Sequence, residues 1–329
     1  MNSGCNERVV YFNGNFVPEK EAKLSIFDSA LMFGDMVFEM TRSFNGLQFK
    51  LKEHIKRLYD GLKILRIPID LSQGEMEEAC HLTVEKNRQA FGDDDEHRLM
   101  IDVTRGLLGI YHGINGLSKG TNVIIADFPL RWTVRGMGKL FDKGINAVIT
   151  SQRAIPSRLL DPKIKNRSRL FYLTANIEAS LFSGEDNWAL LLDEDGYIAE
   201  GTGDNFFIIK NGEVISPEGR NILRGISRSY VMDEICPNIG IKIIEKNIEP
   251  YDVYCADGAF MTGTPFCLLP VTSLNSVPIG EGKVGPVFSR ILSEWSKATG
   301  VDIKNQIQNW NKIDGELGSD APTPYRFKK

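Results

Sequence analysis

Residues 200–208 read EGTGDNFFI and join two runs of apolar residues. The stretch begins like the glycine-rich fingerprint of dinucleotide-binding proteins, but Phe206 stands where the last glycine belongs. It also lies between predicted strands at 188–193 and 205–210, whereas the fingerprint must open a helix whose N–H groups bind the pyrophosphate. Gly282 and Lys283 are followed by Val284, which differs from the phosphate loop of NTPases. These features disfavour a hydride-transfer enzyme and an NTPase.

Residues 161–169, DPKIKNRSR, form a second informative stretch. They follow a predicted strand at 145–151 and precede a predicted helix at about 169–182. A lysine in such a loop can be held in a cleft, where desolvation and neighbouring cations lower its pKa towards the range that imine formation needs. Lys163 and Lys165 are both candidates, and a solvated surface charge is the alternative for either.

The rest of the chain predicts a two-domain, mixed α/β (α+β) fold. Residues 1–127 form a small N-terminal α/β domain, and residues 128–138 form the linker. Residues 139–329 form a larger C-terminal α/β domain with a polar, loosely held tail after about residue 305.

Turn and periodicity signals place the elements of the first domain. Asn13-Gly14 and Asn45-Gly46 each lie between apolar runs, which predicts β-hairpins at residues 9–17 and 38–51 because Asn-Gly readily adopts positive φ angles. From Lys52 onwards, apolar residues recur every three or four positions and predict a helix.

Composition narrows the classes of function. A net charge of −4 argues against a nucleic-acid binder, and no run approaches the roughly 18 apolar residues of a membrane span. The N-terminus lacks the pattern of a signal peptide, so we expect a cytoplasmic protein. The five cysteines include no CxxC pair and the four histidines show no metal-ligand spacing, so neither a disulfide framework nor a metal site is expected.

Five segments together resemble one family. Residues 200–208 are followed by LRGISR at 223–228, which is similar to the family pattern Leu-x-Gly-Ile-Thr-Arg. The others are FDSALMFGDMVFE at 27–39, HIKRL at 54–58 and MTGTP at 261–265. In this order they resemble the class IV (fold type IV) pyridoxal-phosphate enzymes. These include branched-chain and D-amino acid aminotransferases, (R)-selective amine transaminases and aminodeoxychorismate lyase.

The resemblance implies a homodimer with pyridoxal 5′-phosphate in the cleft between a smaller N-terminal and a larger C-terminal domain. Lys165 would carry the cofactor as a Schiff base and move the substrate proton, because its spacing to the helix and the following Asn166 fit the family better than Lys163 does. Glu200 would lie against the pyridine nitrogen and keep it protonated. An exposed glutamate at a strand end is the alternative for Glu200.

Other cofactor-binding roles are carried over in the same way. Arg57 would bind the phosphate with its guanidinium, and a helix-surface ion pair among Glu53, Lys56 and Asp60 is the alternative. The remaining expected ligands are Asn205, Gly225, Ile226, Ser227 and Thr264. Gly225, Ile226 and Ser227 open a predicted helix, whose N–H groups suit a phosphate. Asn205 has a turn role as its alternative, and Ser227 has an ordinary helix cap.

Substrate binding is expected from Phe38, Arg42, Arg105, Gly263 and Pro265. Pro265 has no N–H to offer, and either arginine has a structural alternative. Ile110 occupies a position where D-amino acid aminotransferases carry an arginine, which counts against that subgroup. Apolar residues such as Phe38 would suit a branched-chain or aromatic substrate, or would belong to the core.

The predicted function is transfer of an amino group between an amino acid, branched-chain or otherwise apolar, and a 2-oxo acid. A lyase that releases pyruvate is the first alternative, supported by Arg169. A D-amino acid or (R)-amine transaminase is a second alternative, and a non-catalytic binding protein on the same fold is a third.

Overall fold

The computed structural model describes residues 7–117 and 119–314, and the side chains up to Lys312. The chain divides into two compact units. Unit 1 runs to Leu130 and includes Ile164–Arg169, and unit 2 contains Arg131–Lys163 and the chain from Leu170 onwards. The short segment Ile164–Arg169 thus groups with unit 1, although the sequence places it in the second domain. It does so because Asn166 forms an antiparallel bridge with Val37.

Unit 1 is an antiparallel sheet with helices on one face. Its elements are β1 (Val9–Phe12), β2 (Asn15–Pro18), α1 (Ser29–Phe33), β3 (Met36–Met40), β4 (Ser43–Phe44), β5 (Leu47–Gln48), α2 (Leu51–Leu65), α3 (Gln73–Asn87), β6 (His97–Thr104) and β7 (Asn122–Pro129). The strand order is β2-β1-β7-β6-β3, so β3 lies at an edge.

Both Asn-Gly turns form as predicted, but the second hairpin is shorter than expected. Asn13 and Gly14 have φ values of 50° and 87° and join β1 to β2. Asn45 and Gly46, at 52° and 75°, join only the two-residue strands β4 and β5. The predicted hairpin over residues 38–51 is wrong in extent, because β3 pairs with β6 and not with the residues after the turn.

The two faces of the unit 1 sheet differ in burial. The face towards α2 and α3 is fully buried and presents Val37, Glu39, Leu99, Ile101, Val103, Val123, Ile125 and Asp127. The strand registers place alternate residues on the opposite face: Phe38, Met40, Arg98, Met100, Asp102, Ile124, Ala126 and Phe128. Most of this second face is only half-buried. Of the two faces, the second is therefore the one that a ligand can reach.

Unit 2 contains the remaining elements. They are α4 (Arg131–Val134), α5 (Leu140–Lys143), β8 (Ile145–Arg153), α6 (Leu170–Ser180), β9 (Asn187–Leu192), β10 (Ile198–Gly201), β11 (Asn205–Lys210), β12 (Glu213–Ser216), α7 (Ile226–Tyr230), α8 (Cys236–Asn238), β13 (Ile243–Glu245), α9 (Pro250–Tyr254), β14 (Gly258–Gly263), β15 (Cys267–Leu274), β16 (Val277–Pro278), α10 (Pro286–Thr299) and α11 (Ile303–Asp314). A π-helical turn, Val231–Ile235, joins α7 to α8.

The strands of unit 2 close on themselves. The order β10-β9-β8-β15-β14-β11 returns to β10, because β10 also pairs with β11 through Glu200 and Asn205. Residues 200–208 therefore turn from one strand of this ring into the next. No helix within residues 7–117 and 119–314 is both long and apolar enough to cross a membrane.

The prediction of a loose tail after about residue 305 is wrong for its first part. Helix α11 packs against unit 2 with Ile307 and Trp310 buried. Asn311 accepts a 2.7 Å hydrogen bond from Gly138 N, and Gln308 donates to the Gly138 carbonyl. The polar residues that suggested a loose tail are therefore the partners of the α4–α5 segment. Residues 315–329 lie outside the described residues.

Trp310→Ala tests whether α11 contributes to stability. Trp310 is 2% exposed, so its truncation leaves a cavity, and we expect a loss of about 3–5 kcal/mol in the free energy of unfolding. Urea unfolding of both variants measures the effect, with Lys312→Ala as the control because Lys312 is exposed on the same helix. The control should change stability by no more than about 0.5 kcal/mol. Equal stability of the two variants would contradict the packing of α11.

Candidate active site

Lys165 lies on the ligand-accessible face of the unit 1 sheet. The Asn166–Val37 bridge places Lys165 opposite Phe38, and Phe38 N donates a 2.9 Å hydrogen bond to the Lys165 carbonyl. Opposite residues of an antiparallel pair project to the same face. Lys165 Nζ is 4.9 Å from the centroid of the Phe38 ring. The guanidinium carbons of Arg167 and Arg169 lie 3.7 and 5.0 Å from the same centroid.

Hydrogen bonds within the segment fix its shape. Asn166 Nδ2 donates to the Ile164 carbonyl, and Asn166 Oδ1 accepts from Ser168 N at 2.9 Å. Arg169 Nε donates to the Asn166 carbonyl at 2.9 Å. Ile164 is buried in the core of unit 1 and anchors the start of the segment. The direction of the Lys165 side chain is therefore set by backbone pairing and by a network centred on Asn166.

Lys163 has a different environment in unit 2. Its Nζ lies 2.8 Å from Asp161 Oδ1 and donates a 3.0 Å hydrogen bond to the Arg220 carbonyl. The Lys163 amine is therefore engaged in an ion pair and a hydrogen bond within unit 2.

Arg57 forms a buried ion pair rather than one with its helix neighbours. Its Nε and Nη2 atoms lie 2.6 and 2.8 Å from the two carboxylate oxygens of Glu39. His54 Nδ1 lies 2.7 Å from the same carboxylate. The predicted alternative among charged neighbours is wrong, since Lys56 pairs with Asp60 instead. Glu39 therefore holds the guanidinium of Arg57 in a fixed orientation.

The neighbouring Arg57 and His54 determine the pKa of the buried Glu39 carboxyl group. Burial alone raises its pKa, but the interactions with Arg57 and His54 outweigh burial and hold the pKa of Glu39 well below its usual range. The pKa of His54 is lowered, mainly by burial and also by the charges of Arg57 and Lys165, against the opposing effect of Glu39.

Glu200 lies in unit 2 as a buried carboxylate with three donors. Tyr172 OH donates to Oε1 at 2.8 Å. Asn205 Nδ2 and Leu223 N donate to Oε2 at 3.1 and 3.0 Å. Glu200 is 4% exposed, so the alternative of an exposed strand-end glutamate is wrong. Asn205 lies in β11 and also donates to the Leu223 carbonyl, so it has no turn role.

Asp204 is the close neighbour of Glu200 and differs from it in hydrogen bonding. Its Oδ1 has no partner among the described residues, and the residue is 6% exposed. Burial, followed by the charge of Glu200, raises the pKa of Asp204 well above its usual value. A Cβ at Gly201 would lie 2.1 Å from Asp204 Oδ1, so this position requires glycine.

Gly225, Ile226 and Ser227 form the start of a continuous helix through α7, the π-helical turn and α8. Gly225 is the N-cap and has no side-chain cap, so the predicted cap role of Ser227 is not observed. A Cβ at Gly225 would lie 2.1 Å from Asn205 Oδ1. Asn205 therefore links the Glu200 carboxylate to the start of this helix, whose first N–H groups lack intrahelical acceptors.

Gly263 ends β14 and pairs with Cys267, and Thr264, Pro265 and Phe266 form the turn between β14 and β15. A Cβ at Gly263 would lie 2.6 Å from Phe266 Cζ, so glycine lets the turn close onto the Phe266 ring. Pro265 is buried and Thr264 is half-buried. This turn follows Thr262, which pairs with Asn205 in the sheet.

The two predicted substrate-binding arginines make intrachain contacts. Arg105 pairs with Asp35 through Nε and Nη2, and it donates to the Leu65 and Arg66 carbonyls at the end of α2. Arg42 is 1% exposed and stacks 3.8 Å from the centroid of the Phe44 ring.

Arg98 is a candidate that sequence reasoning missed. It lies on the same sheet face as Phe38 and is 7% exposed. Its Nη2 contacts Met40 Sδ at 3.5 Å, while Nε and Nη1 have no hydrogen-bond partner among the described residues. Burial, and then the charges of Arg42 and Arg167, lower the pKa of Arg98 to about 9. Its alternation with Met100 and Asp102 along β6 is the signal that could have identified it.

The structure thus brings the predicted residues together in two groups. Lys165 and Phe38 lie together in unit 1, where Arg57 is held separately by Glu39. Glu200, Asn205 and Gly225 lie together in unit 2. Tyr172 and the Leu223 N–H belong to the second group and were not predicted, because helix periodicity does not show what a tyrosine hydroxyl contacts.

Comparison with known proteins identifies the family of the chain. The amino-transferase class IV family model matches residues 36–274, more than half of the chain. A Methanocaldococcus jannaschii protein, provisionally assigned as a branched-chain-amino-acid aminotransferase, is 37% identical over 289 residues, covering 87% of this chain and 94% of that protein. The branched-chain-amino-acid aminotransferase of Escherichia coli K12 is 33% identical, covering 86% and 90%.

Solved structures show the same fold. The crystal structure of the Escherichia coli branched-chain amino acid aminotransferase matches with a TM-score of 0.79 and 30% identity, covering 89% of this chain and 94% of that one. The T.th. branched-chain amino acid aminotransferase, complexed with N-(5′-phosphopyridoxyl)-L-glutamate, matches with a TM-score of 0.77 and 30% identity, covering 92% and 97%. The chain therefore belongs to the class IV aminotransferases and is a transaminase of fold type IV.

Proposed function

We propose that this aminotransferase uses pyridoxal 5′-phosphate to move an amino group between a branched-chain amino acid and a 2-oxo acid. The observation that carries the proposal is the Glu200 carboxylate, which is buried and accepts hydrogen bonds from Tyr172 OH, Asn205 Nδ2 and Leu223 N. A buried carboxylate of this kind stabilises a protonated ring nitrogen. The phosphopyridoxyl compound bound to the T.th. relative supports the same cofactor.

The chemistry of the donor set fits this cofactor. Lys165 provides the amine that holds its carbonyl carbon, and Glu200 provides the partner of its ring nitrogen. Arg57, preoriented by Glu39, provides a guanidinium for the phosphate. The helix start at Gly225, Ile226 and Ser227 and the hydroxyl of Thr264 provide further donors of the kind that phosphates accept.

When bound, pyridoxal phosphate supplies an electron sink for the charge that remains when the substrate Cα loses its proton. Lys165 holds the cofactor and carries the proton between the substrate Cα and the cofactor carbon. Its backbone pairing with Phe38 fixes the direction from which the amine acts. Glu200 keeps the ring nitrogen protonated, and Asn205 and the Leu223 N–H hold Glu200 in place.

The substrate class follows from the accessible face of the unit 1 sheet. Phe38, Met40 and Phe128 provide apolar surface for a branched side chain, and Arg98 provides a cation for a carboxylate. The unpartnered Nε and Nη1 atoms of Arg98 make it a better carboxylate ligand than Arg105, whose guanidinium is engaged by Asp35. We therefore assign Arg105 to stabilising the end of α2. Gly263 and Pro265 remain proposed substrate contacts from the resemblance, as does Arg42.

The lyase alternative stays second to the transaminase. It rested on Arg169, which here donates to the Asn166 carbonyl and lies over Phe38, so it holds the Lys165 segment. A homodimer remains part of the proposal. Exposed apolar side chains on unit 1, on α6 of unit 2 and directly after α6 support it: Ile26, Leu31, Phe33, Ile110, Leu170, Ile177 and Leu181. The cytoplasmic location stays a prediction from composition.

Adding single amino donors to the cofactor-loaded protein tests the reaction. L-leucine should bleach the visible absorbance band of the bound cofactor and release the matching 2-oxo acid, because the accessible face combines apolar surface with a cation. D-alanine and an (R)-arylalkylamine serve as controls in separate samples. Bleaching by either control but not by L-leucine would contradict the proposed substrate. Pyruvate release from an aminodeoxychorismate-type substrate without a 2-oxo acid would indicate the lyase.

Arg98→Met tests the proposed carboxylate ligand. A lost hydrogen bond to a charged group should raise the inhibition constant of 4-methylvaleric acid, a branched carboxylate without an amine, by about tenfold or more. Arg88→Met is the control, since Arg88 is an exposed arginine of the same unit. Inhibition assays on the folded variants give both constants. An Arg98→Met enzyme with the inhibition constant of the control would exclude Arg98 from substrate binding.

A further inference from the structure

We propose that Tyr172 is a positioning residue that keeps Glu200 charged, so that the proton stays on the ring nitrogen of the cofactor. This inference rests on the proposed function, because it assumes that Glu200 faces that nitrogen. Tyr172 belongs to α6 and Glu200 to β10, both in unit 2. The contact that carries the inference is the 2.8 Å hydrogen bond from Tyr172 OH to Glu200 Oε1.

The position of the Tyr172 hydroxyl is fixed by the packing of its ring. Tyr172 is 9% exposed and belongs to an apolar cluster with Ala154, Leu191, Ala199 and Ile222. Phe171 packs beside it, with the ring centroids 4.2 Å apart. A phenylalanine would satisfy these apolar contacts equally well. The hydroxyl is therefore not needed for packing, and its function lies in its bond to Glu200.

Glu200 and its neighbour Asp204 differ in the hydrogen bonds that their carboxyl groups accept. The two carboxyl groups are close enough that the charge of Glu200 raises the pKa of Asp204. Glu200 accepts three hydrogen bonds, whereas Asp204 Oδ1 has no partner among the described residues. Hydrogen bonds to a carboxylate stabilise its charged form. The hydrogen bonds to Glu200 therefore favour the charged form of its carboxylate.

Tyr172 OH donates to Oε1 of Glu200, and Asn205 Nδ2 and Leu223 N donate to Oε2. When the Tyr172 hydroxyl is removed, Glu200 gains affinity for a proton. In the loaded enzyme, the ring nitrogen that Glu200 is proposed to face would carry the nearest acidic proton. Part of this proton would then pass to the Glu200 carboxylate: the N–H bond would break, an O–H bond would form, and the ring would become a neutral pyridine.

Nitrogen NMR of the holoenzyme measures this proton directly. The protein is loaded with pyridoxal phosphate carrying ¹⁵N in the ring, and the ring-nitrogen shift is recorded for wild type, Tyr172→Phe and Glu200→Gln. Wild type should show a pyridinium, and Glu200→Gln should approach a neutral pyridine. Tyr172→Phe should lie between them, and adding Tyr172→Phe to Glu200→Gln should change neither the shift nor kcat further.

Tyr59→Phe is the matched control. Tyr59 is a partly buried tyrosine of unit 1 whose hydroxyl donates to the Leu71 carbonyl at 2.6 Å. This variant loses a comparable hydrogen bond without touching Glu200, so its ring-nitrogen shift should equal that of wild type. If Tyr172→Phe does not fold, Tyr172→Met replaces it, because methionine fills irregular apolar space and also lacks a donor.

The outcomes separate this inference from the proposed function. A wild-type protein that does not bind pyridoxal phosphate, or binds it with a neutral ring, overturns the role of Glu200 itself. A wild-type pyridinium that is unchanged in Tyr172→Phe overturns only the role of Tyr172. The role of Tyr172 is also overturned if Tyr172→Phe changes the ring-nitrogen shift as much in Glu200→Gln as it does in wild type.

Discussion

The β3 edge of the unit 1 sheet needs backbone partners, and the segment that provides them, Ile164–Arg169, carries the candidate catalytic lysine. An unpaired edge strand exposes backbone N–H and C=O groups and invites association with another chain. Here Val37 and Phe38 of β3 find backbone partners in Asn166 and Lys165. Because side chains alternate along a strand, this pairing places Lys165 on the accessible face with Phe38 and leaves Ile164 for the core.

Charge is distributed unevenly between the two groups of site residues. The accessible face in unit 1 carries the cations Lys165, Arg98 and Arg167, of which Arg167 pairs with Asp102. Burial, and then the charges of Arg42 and Arg167, lower the pKa of Arg98. The group in unit 2 is centred on the buried carboxylate of Glu200, and burial and the charge of Glu200 raise the pKa of the neighbouring Asp204 well above its usual value. Cations suit a phosphate and a substrate carboxylate, while a single anion suits a protonated ring nitrogen.

Local rules predicted much of the fold and of the site. Asn13-Gly14 had to turn because few other pairs adopt two positive φ angles, and residues 200–208 identified the strand pair of unit 2 through a motif with fixed spacing. The sequence did not predict contacts between residues that are far apart along the chain. The edge pairing of Asn166 with Val37, the bond from Tyr172 to Glu200 and the packing of Trp310 all join residues far apart along the chain. Arg98 was missed because nothing in its flanking sequence shows that two of its nitrogen atoms are buried without partners.

Reductive trapping shows directly whether Lys165 holds the cofactor. The protein is loaded with pyridoxal phosphate, reduced with sodium borohydride to fix the cofactor onto its lysine, digested and mapped by mass spectrometry. We expect to find the phosphopyridoxyl group on Lys165. Lys163 should be unmodified, because Asp161 and the Arg220 carbonyl engage its amine. A group found on Lys163 or on another lysine, or on none, would contradict the account.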